Sequence, residues 1–216
     1  MGVLFSDDNF ALFRDGFLTT LELTVVSSVL ALLLGLLLAA FRVSPVPPLR
    51  IFGTVWVTLL RNTPLTLLFF AVVFGLPKIG ISLDYFTFAV LALGCYTASF
   101  VCETVRAGIN TVPLGQAEAA RSLGMTFNQT LRLVVLPQAT RTVIAPIGSI
   151  LIALTKNSAL AGAFNVAELY GVMKTWNELG FDIFAIFLWI ALGYLVITFA
   201  ISGLFRLLEN RLAVAR

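Results

Sequence analysis

Histidine is absent from all 216 residues, and charge is scarce: Asp, Glu, Lys and Arg together make up 12% of the chain. Without histidine there is no Ser-His-Asp triad, no Cys-His pair and no His-ligated metal. There is also no Walker-type G-x-x-x-x-G-K-[ST], so the chain does not bind ATP by that route. Only two cysteines occur, Cys95 and Cys102. On one helix they stand roughly 10 Å apart along the axis, beyond the roughly 7 Å between alpha carbons that a disulfide tolerates. They read as small apolar fillers. A soluble domain carries about 25% charged residues; half that share cannot clothe a water-facing surface. What fills the chain instead is apolar: 59% of residues, with a mean hydropathy of +1.00. The expected solvent is a lipid bilayer. At roughly 20 apolar residues per crossing, the length allows about four to six crossings with short connections.

Five apolar stretches are expected to cross: Phe17 to Phe41, Ile51 to Leu76, Tyr85 to about Gly108, Pro137-Gln138 to about Ala163, and Phe181 to Leu204. The second is interrupted by Arg61-Asn62-Thr63-Pro64. The first follows Asp7, Asp8 and Asp15 rather than a basic cluster, so it reads as a span and not as a cleaved leader. The expected fold is therefore an all-α integral membrane protein, a single domain over residues 1–216. With the N-terminus outside, the inner segments hold Arg42, Arg50, Arg106, Arg121, Arg132, Arg141, Arg206, Arg211 and Arg216. The outer segments hold only Arg14, Lys78 and Lys174 as bases, against Asp7, Asp8, Asp15, Asp84, Glu168, Glu178 and Asp182. Basic residues near span ends set orientation, which places the N-terminus outside and the C-terminus in the cytoplasm.

The connection from Asn110 to Arg141 is too long and too patterned for a plain loop. Thr111 is expected to cap a helix, Pro113 to occupy its first turn, and Gly124 to end it in a left-handed conformation. Thr126 and Gln129 have capping-box spacing for a second helix, with Pro137 as the next boundary. The small residues Ala117, Ala119 and Ala120 let a partner approach the first helix closely, with Gln116, Glu118 and Arg121 at the rim. By physical pattern alone this helix equally suits the membrane surface.

Glu118-Ala119-Ala120, Gly124, Val134 and Leu136-Pro137 resemble the EAA loop of ABC-importer permeases, whose pattern is E-A-A, x3, G, x9, I, x, L-P; Val134 is the one departure. Further stretches resemble the polar amino-acid branch of that family: Gly16-Phe17-Leu18-Thr19-Thr20-Leu21-Glu22-Leu23, Arg61-Asn62-Thr63-Pro64-Leu65, Glu103-Thr104-Val105-Arg106-Ala107-Gly108-Ile109, and Lys156-Asn157-Ser158-Ala159-Leu160. The likeness covers about residues 16–210 and looks closest to actinobacterial glutamate permeases, with Glu209-Asn210-Arg211-Leu212-Ala213-Val214 among the similar stretches. The resemblance implies a type I importer permease whose residues 111–137 carry a cytoplasmic coupling helix, with Gln116, Glu118, Ala119, Ala120, Arg121 and Gly124 facing an ATPase.

Charged groups within spans are functional candidates by default. Arg61 falls about 6 Å inside the inner boundary at 1.5 Å per residue, where it reads either as a structural arginine near Pro64 or as a gate or substrate partner. Asn62 and Thr63 accompany it. Glu103 and Arg106 are spaced to pair along one helix face, a structural pair next to the coupling segment. Glu22 reads as snorkelling outward. Lys156, Asn157 and Ser158 lie in the outer part of the fourth expected span. They are expected to face either a substrate cavity or a neighbouring helix. Among relatives Asp is frequent at the position of Asn157, and its absence would lower repulsion of an anionic substrate. Thr97, Ser99 and Asn165 are weaker cavity candidates.

The resemblance thus implies a non-enzymatic, multi-pass subunit in a bacterial plasma membrane that imports a polar amino acid, glutamate first and glutamine or another polar amino acid as the alternative. It implies a second permease subunit, identical or similar, a cytoplasmic ABC ATPase dimer carrying ATP and Mg, and an extracytoplasmic binding protein. This chain itself is expected to hold no metal and no cofactor. A membrane scaffold or sensor that borrows the EAA-like surface, and an intramembrane enzyme, are the rival classes; no paired intramembrane carboxylates support the latter.

Overall fold

The computed structural model describes residues 6–212, all of them helix, turn or loop. Arg216 and the Ala213-Val214 part of the family-like C-terminal stretch lie outside the described residues. The helices are α1 (Asp7–Val43), α2 (Pro47–Asn62), α3 (Leu65–Lys78), α4 (Tyr85–Asn110), α5 (Leu114–Ser122), α6 (Phe127–Ala163), α7 (Leu169–Glu178) and α8 (Ile183–Leu212). Four of them, α1, α4, α6 and α8, are long and apolar enough to cross a membrane, and the α2–α3 pair makes a fifth if its two arms are one broken span.

Parallel α1 and α4 form the centre. Helix α1 turns a ladder of small residues inward (Gly16, Thr20, Thr24, Ser27, Ala31, Gly35), which lets the two backbones close without a large side chain between them. A Cβ on Gly35 would lie 2.6 Å from Val101, and one on Gly94 would lie 2.5 Å from Leu30. Helix α6 runs antiparallel beside α4, and Gly108 meets Val143 there with no room for a Cβ. Helix α8 packs on α6 through Gly148 and Phe205. One end of the bundle, the elbow end, therefore carries the α1–α2 connection and α5. The far end carries α7 and the α3–α4 connection. There Asp84 caps α4, and the hydroxyl and N–H of Thr87 hold its carboxyl below the usual range.

The stretch from Ile51 to Leu76 is not one straight crossing. Its two arms meet at 108°. Pro64 supplies no N–H and forces the residue before it out of the helical region, and Thr63 is extended (φ −97°, ψ 130°). The side chains of Asn62 and Thr63 fold back onto the carbonyls of Thr58 and Leu59 at 2.8 Å each. Helix α2 crosses obliquely over the elbow end, with Gly53 on Leu38 and Arg42 and with Val57 buried beside Ala39 and Ala98.

Two expected boundaries move. Thr111 does not cap α5: it closes α4, donating its hydroxyl to Gly108 O at 2.7 Å, and α5 starts after Pro113. Pro137 does not end a helix either. A π turn at Leu131–Val135 widens α6 just before it, with the Leu136 N–H bonded to Leu131 O, and the helix runs on to Ala163. A proline is tolerated where the ladder has already been reset. The Gln138 side chain adds a donor to Val134 O at 2.8 Å.

Candidate functional site

The elbow is a short helix ending on a glycine. Gly124 has φ +83°, which L side chains rarely adopt, and Met125 N–H reaches back to Ala120 O at 3.2 Å. Thr126 and Gln129 then form a complete capping box that starts α6. Glu118, Ala119, Arg121 and Gly124 are exposed, whereas Ala120 is buried against the bundle and Ala117 is half-buried. The open face is thus narrower in alanine than the sequence suggests. Gln116 is tied to α6 through Gln138 at 2.5 Å. Leu123 and Phe127 flank the turn at 85% and 77% exposure. Together they leave an exposed apolar patch beside the small-residue face.

Between α4 and α6 lies a cavity of about 190 Å³, with Tyr96, Thr97 and Phe100 on one wall and Ile150, Leu154 and Asn157 on the other. Tyr96, Thr97 and Asn157 are the lining residues that carry polar side-chain groups. Three successive helical residues point about 100° apart, so Lys156, Asn157 and Ser158 do not share it. Lys156 is exposed on the outside of α6, and Ser158 is buried, donating to Thr155 O at 2.7 Å. Ser99 turns away from the cavity and bonds Cys95 O at 3.4 Å. Asn165 lies at the far end in a left-handed conformation (φ 69°), on the rim of a larger, aromatic cavity of about 410 Å³ lined by Phe70, Phe74, Tyr85 and Phe164.

Glu103 pairs with Arg106 at 2.8 Å, as its spacing predicts. It does more: Arg42 from α1 bonds Oε1, and Arg61 from α2 approaches the same oxygen at 3.4 Å. One carboxylate thus gathers three guanidiniums from three helices. The Arg61 guanidinium also stands 5.5 Å from the centroid of Phe100, which walls the cavity. The Arg42 and Arg61 contacts were missed in the sequence, where Glu103 was paired with Arg106 alone; Arg42 and Glu103 are 61 residues apart. Glu168 was missed altogether. Counted as an outer-loop acid, it is fully buried (0% exposed) as the N-cap of α7, and burial pushes its carboxyl above the usual range against the pull of its Tyr194 and Gly171 donors. Among the described residues no cluster of His, Cys, Asp and Glu is placed to hold a metal.

Residues 31–214 match the family described as "Binding-protein-dependent transport system inner membrane component". The chain belongs to this family. Its relatives include a probable glutamine ABC transporter permease protein, GlnM of Bacillus subtilis, 38% identical with 98% of each chain covered. The glutamate transport system permease protein GluC of Corynebacterium glutamicum is 41% identical, with 93% of each covered. Among solved structures, a crystal structure of an amino acid ABC transporter with histidines superposes with a TM-score of 0.90 at 32% identity, covering 98% of this chain and 99% of that one. The chain is a permease subunit of an ABC amino acid importer, a non-enzymatic multi-pass component of a bacterial plasma membrane. Membership in the permease family implies an ATPase and a substrate-binding partner. The scaffold and intramembrane-enzyme classes fall away.

Proposed function

We propose that this permease imports glutamate, with five crossings, the elbow end in the cytoplasm and the far end outside. The exposed α5 elbow carries the reading. A glycine-ended helix with Glu118, Ala119 and Arg121 on its open face suits the groove of an ATPase, and α4 and α6, which flank it, also wall the cavity. Gln116 and the buried Ala120 hold α5 on the bundle, and Gly124 supplies its sharp turn. ATP and Mg sit on the partner ATPase dimer, and a second permease subunit, identical or similar, completes the pathway. The binding protein delivers substrate to the far end. ATP binding closes the ATPase dimer, and α5 carries that motion into α4 and α6, so that the cavity opens alternately to the two sides.

Thr97 and Asn157 contact the substrate in the cavity. Asn157 brings a donor and an acceptor without negative charge, which admits an anionic side chain; Arg61 behind Phe100 adds positive potential. Lys156, on the outside of α6, and Asn62 and Thr63, at the bend of the α2–α3 pair, line the pathway toward the second subunit. Two relatives named glutamate permeases, 41% and 42% identical, support the substrate. Glutamine is the second reading, favoured by the relative named a probable glutamine permease and by the neutral amide of Asn157.

The test is ATP-dependent uptake in proteoliposomes containing all partners, over a panel of amino acids. Glutamate is expected to be taken up at least about tenfold more efficiently than glutamine, the scale of one charge-specific contact; the reverse ratio establishes the second reading. Glu118→Lys, and Gly124 replaced by Trp, are expected to lower the uptake obtained per ATP hydrolysed. Wild-type coupling in both removes the elbow from the coupling role. Orientation is read separately in intact cells: a cysteine replacing Lys174 is expected to label from outside and one replacing Gln116 not to. The opposite pattern inverts the topology.

A further inference from the structure

The α4–α6 cavity and the arginine hub meet at one side chain. Helix α4 runs from the far end to the elbow end, and of its cavity residues Phe100 lies nearest the elbow. Glu103 follows one helical turn further on. From Glu103 to Asn110, where α4 ends, the helix rises about 10 Å. The hub is thus a layer of charge set well inside the ends of a membrane-crossing helix. A solute leaving the cavity toward the elbow passes Phe100 and then this layer.

The three arginines are not equally committed to Glu103. Arg42 bonds Oε1, and Arg106 bonds Oε2 at 2.8 Å, so both oxygens are already taken. Arg61 stands 3.4 Å from Oε1 and donates no hydrogen bond to any described residue. Its guanidinium carries five N–H donors, and a charged group left unpaired at membrane depth is costly. What it has instead is the ring of Phe100, 5.5 Å from its centroid, with Tyr96 packed on the same ring at 5.0 Å. Three guanidiniums against one carboxylate leave two positive charges uncompensated. The Arg61 side chain is 42% exposed, which leaves it room to turn. It lacks a carboxylate of its own to accept both N–H groups of its fork.

We propose that Phe100 and Arg61 form a carboxylate-operated gate on the elbow side of the cavity: Phe100 closes it, and Arg61 leaves Glu103 and the ring to take a carboxylate of the departing amino acid. The exchange removes only the longest contact of Glu103, since Arg42 and Arg106 stay. It needs one side-chain rotation, because the ring that Arg61 covers is itself a cavity wall. The inference rests on the importer reading and names the group that hands the substrate out of the cavity.

The test follows efflux of two preloaded solutes from proteoliposomes holding the complete transporter: glutamate, and its diamide, in which both carboxyls are carboxamides. Efflux is read without nucleotide and with ATP and orthovanadate, so that both positions of the cavity are sampled. The wild type is expected to retain both solutes. Phe100→Ala is expected to release glutamate about tenfold faster than the wild type in one of the two conditions, the scale of one lost contact. In that condition glutamate is expected to leave about tenfold faster than the diamide, the scale of a charge-assisted pair. Adding Arg61→Met is expected to bring the two solutes to within about threefold of each other, and adding Arg61→Lys, which keeps the charge without the fork, to do the same. If Phe100→Ala does not assemble, Phe100→Val replaces it throughout. A Phe100 variant as tight as the wild type in both conditions overturns the gate. Preference for glutamate that survives Arg61→Met, or that is fully retained with Arg61→Lys, overturns the carboxylate exchange. A wild-type complex with no ATP-dependent uptake of any amino acid overturns the importer reading, and this inference with it; normal uptake beside a tight Phe100 variant overturns the inference alone.

Discussion

Glu103→Gln is expected to cut uptake about tenfold or more and to lower the thermal stability of the purified permease, because it strands three guanidiniums at once. With the carboxylate present, the Arg42, Arg61, Arg106 and Glu103 group carries a net charge of +2; without it, +3. Two guanidiniums about 7 Å apart repel by about 2 kcal/mol at an effective dielectric near 20, and solvent screens the more exposed members further. Exposure then ranks the partners. Arg42 is 12% exposed, Arg106 38% and Arg61 42%. Arg42→Met is expected to destabilise most of the three arginine variants, and Arg61→Met least, since its 3.4 Å contact is the longest and its head is half in water. Unfolding in detergent and uptake in proteoliposomes check the order. An Arg61→Met variant as damaged as Glu103→Gln defeats the hub description.

Gly162→Ala is expected to destabilise the far end by about 3 kcal/mol, the sum of a lost charge-assisted hydrogen bond and a strained neighbour. The new Cβ meets Glu168 Oε1 at 2.2 Å and Gly171 N at 2.7 Å. The first is a side-chain end that can move, but only by giving up its bond to Gly171. The second is backbone and cannot. A fall of about 10 °C in the unfolding midpoint is the expected readout. The double variant with Glu168→Ala removes the colliding oxygen, so the two changes should be far from additive. Additive effects, or an unchanged midpoint for Gly162→Ala alone, count against a tight seat. Gly203, with nothing within 4 Å, is the control, and Gly203→Ala should be neutral or slightly stabilising.

The elements most legible in the sequence rest on local rules. The Gly124 turn and the Thr126–Gln129 box were readable because both are satisfied within a few residues of chain. Pro64 signalled a break, though not its 108° angle, which depends on where α2 and α3 find packing. Thr111 was misassigned because one threonine can serve the helix before it or the one after. Pro137 was misread because a π turn upstream absorbs it. The Lys156-Asn157-Ser158 triplet was grouped by adjacency, whereas helical geometry sends its members in three directions.

Composition alone determined the solvent: a chain with 12% charge and 59% apolar residues has nowhere to fold but a membrane. Spacing along the chain carried the elbow and pointed to the family. Beyond the Glu103–Arg106 pair, which its i,i+3 spacing foretold, only the tertiary structure decided which charges meet. Arg42 and Glu103 are 61 residues apart, and Glu168 and Thr20 are 148 apart. No local pattern links such pairs, because they are joined by helices that pack at glycines and small residues. In a medium where an unpaired charge is so costly, that packing settles which acid becomes a hub for arginines and which is sealed beneath a helix at the far end.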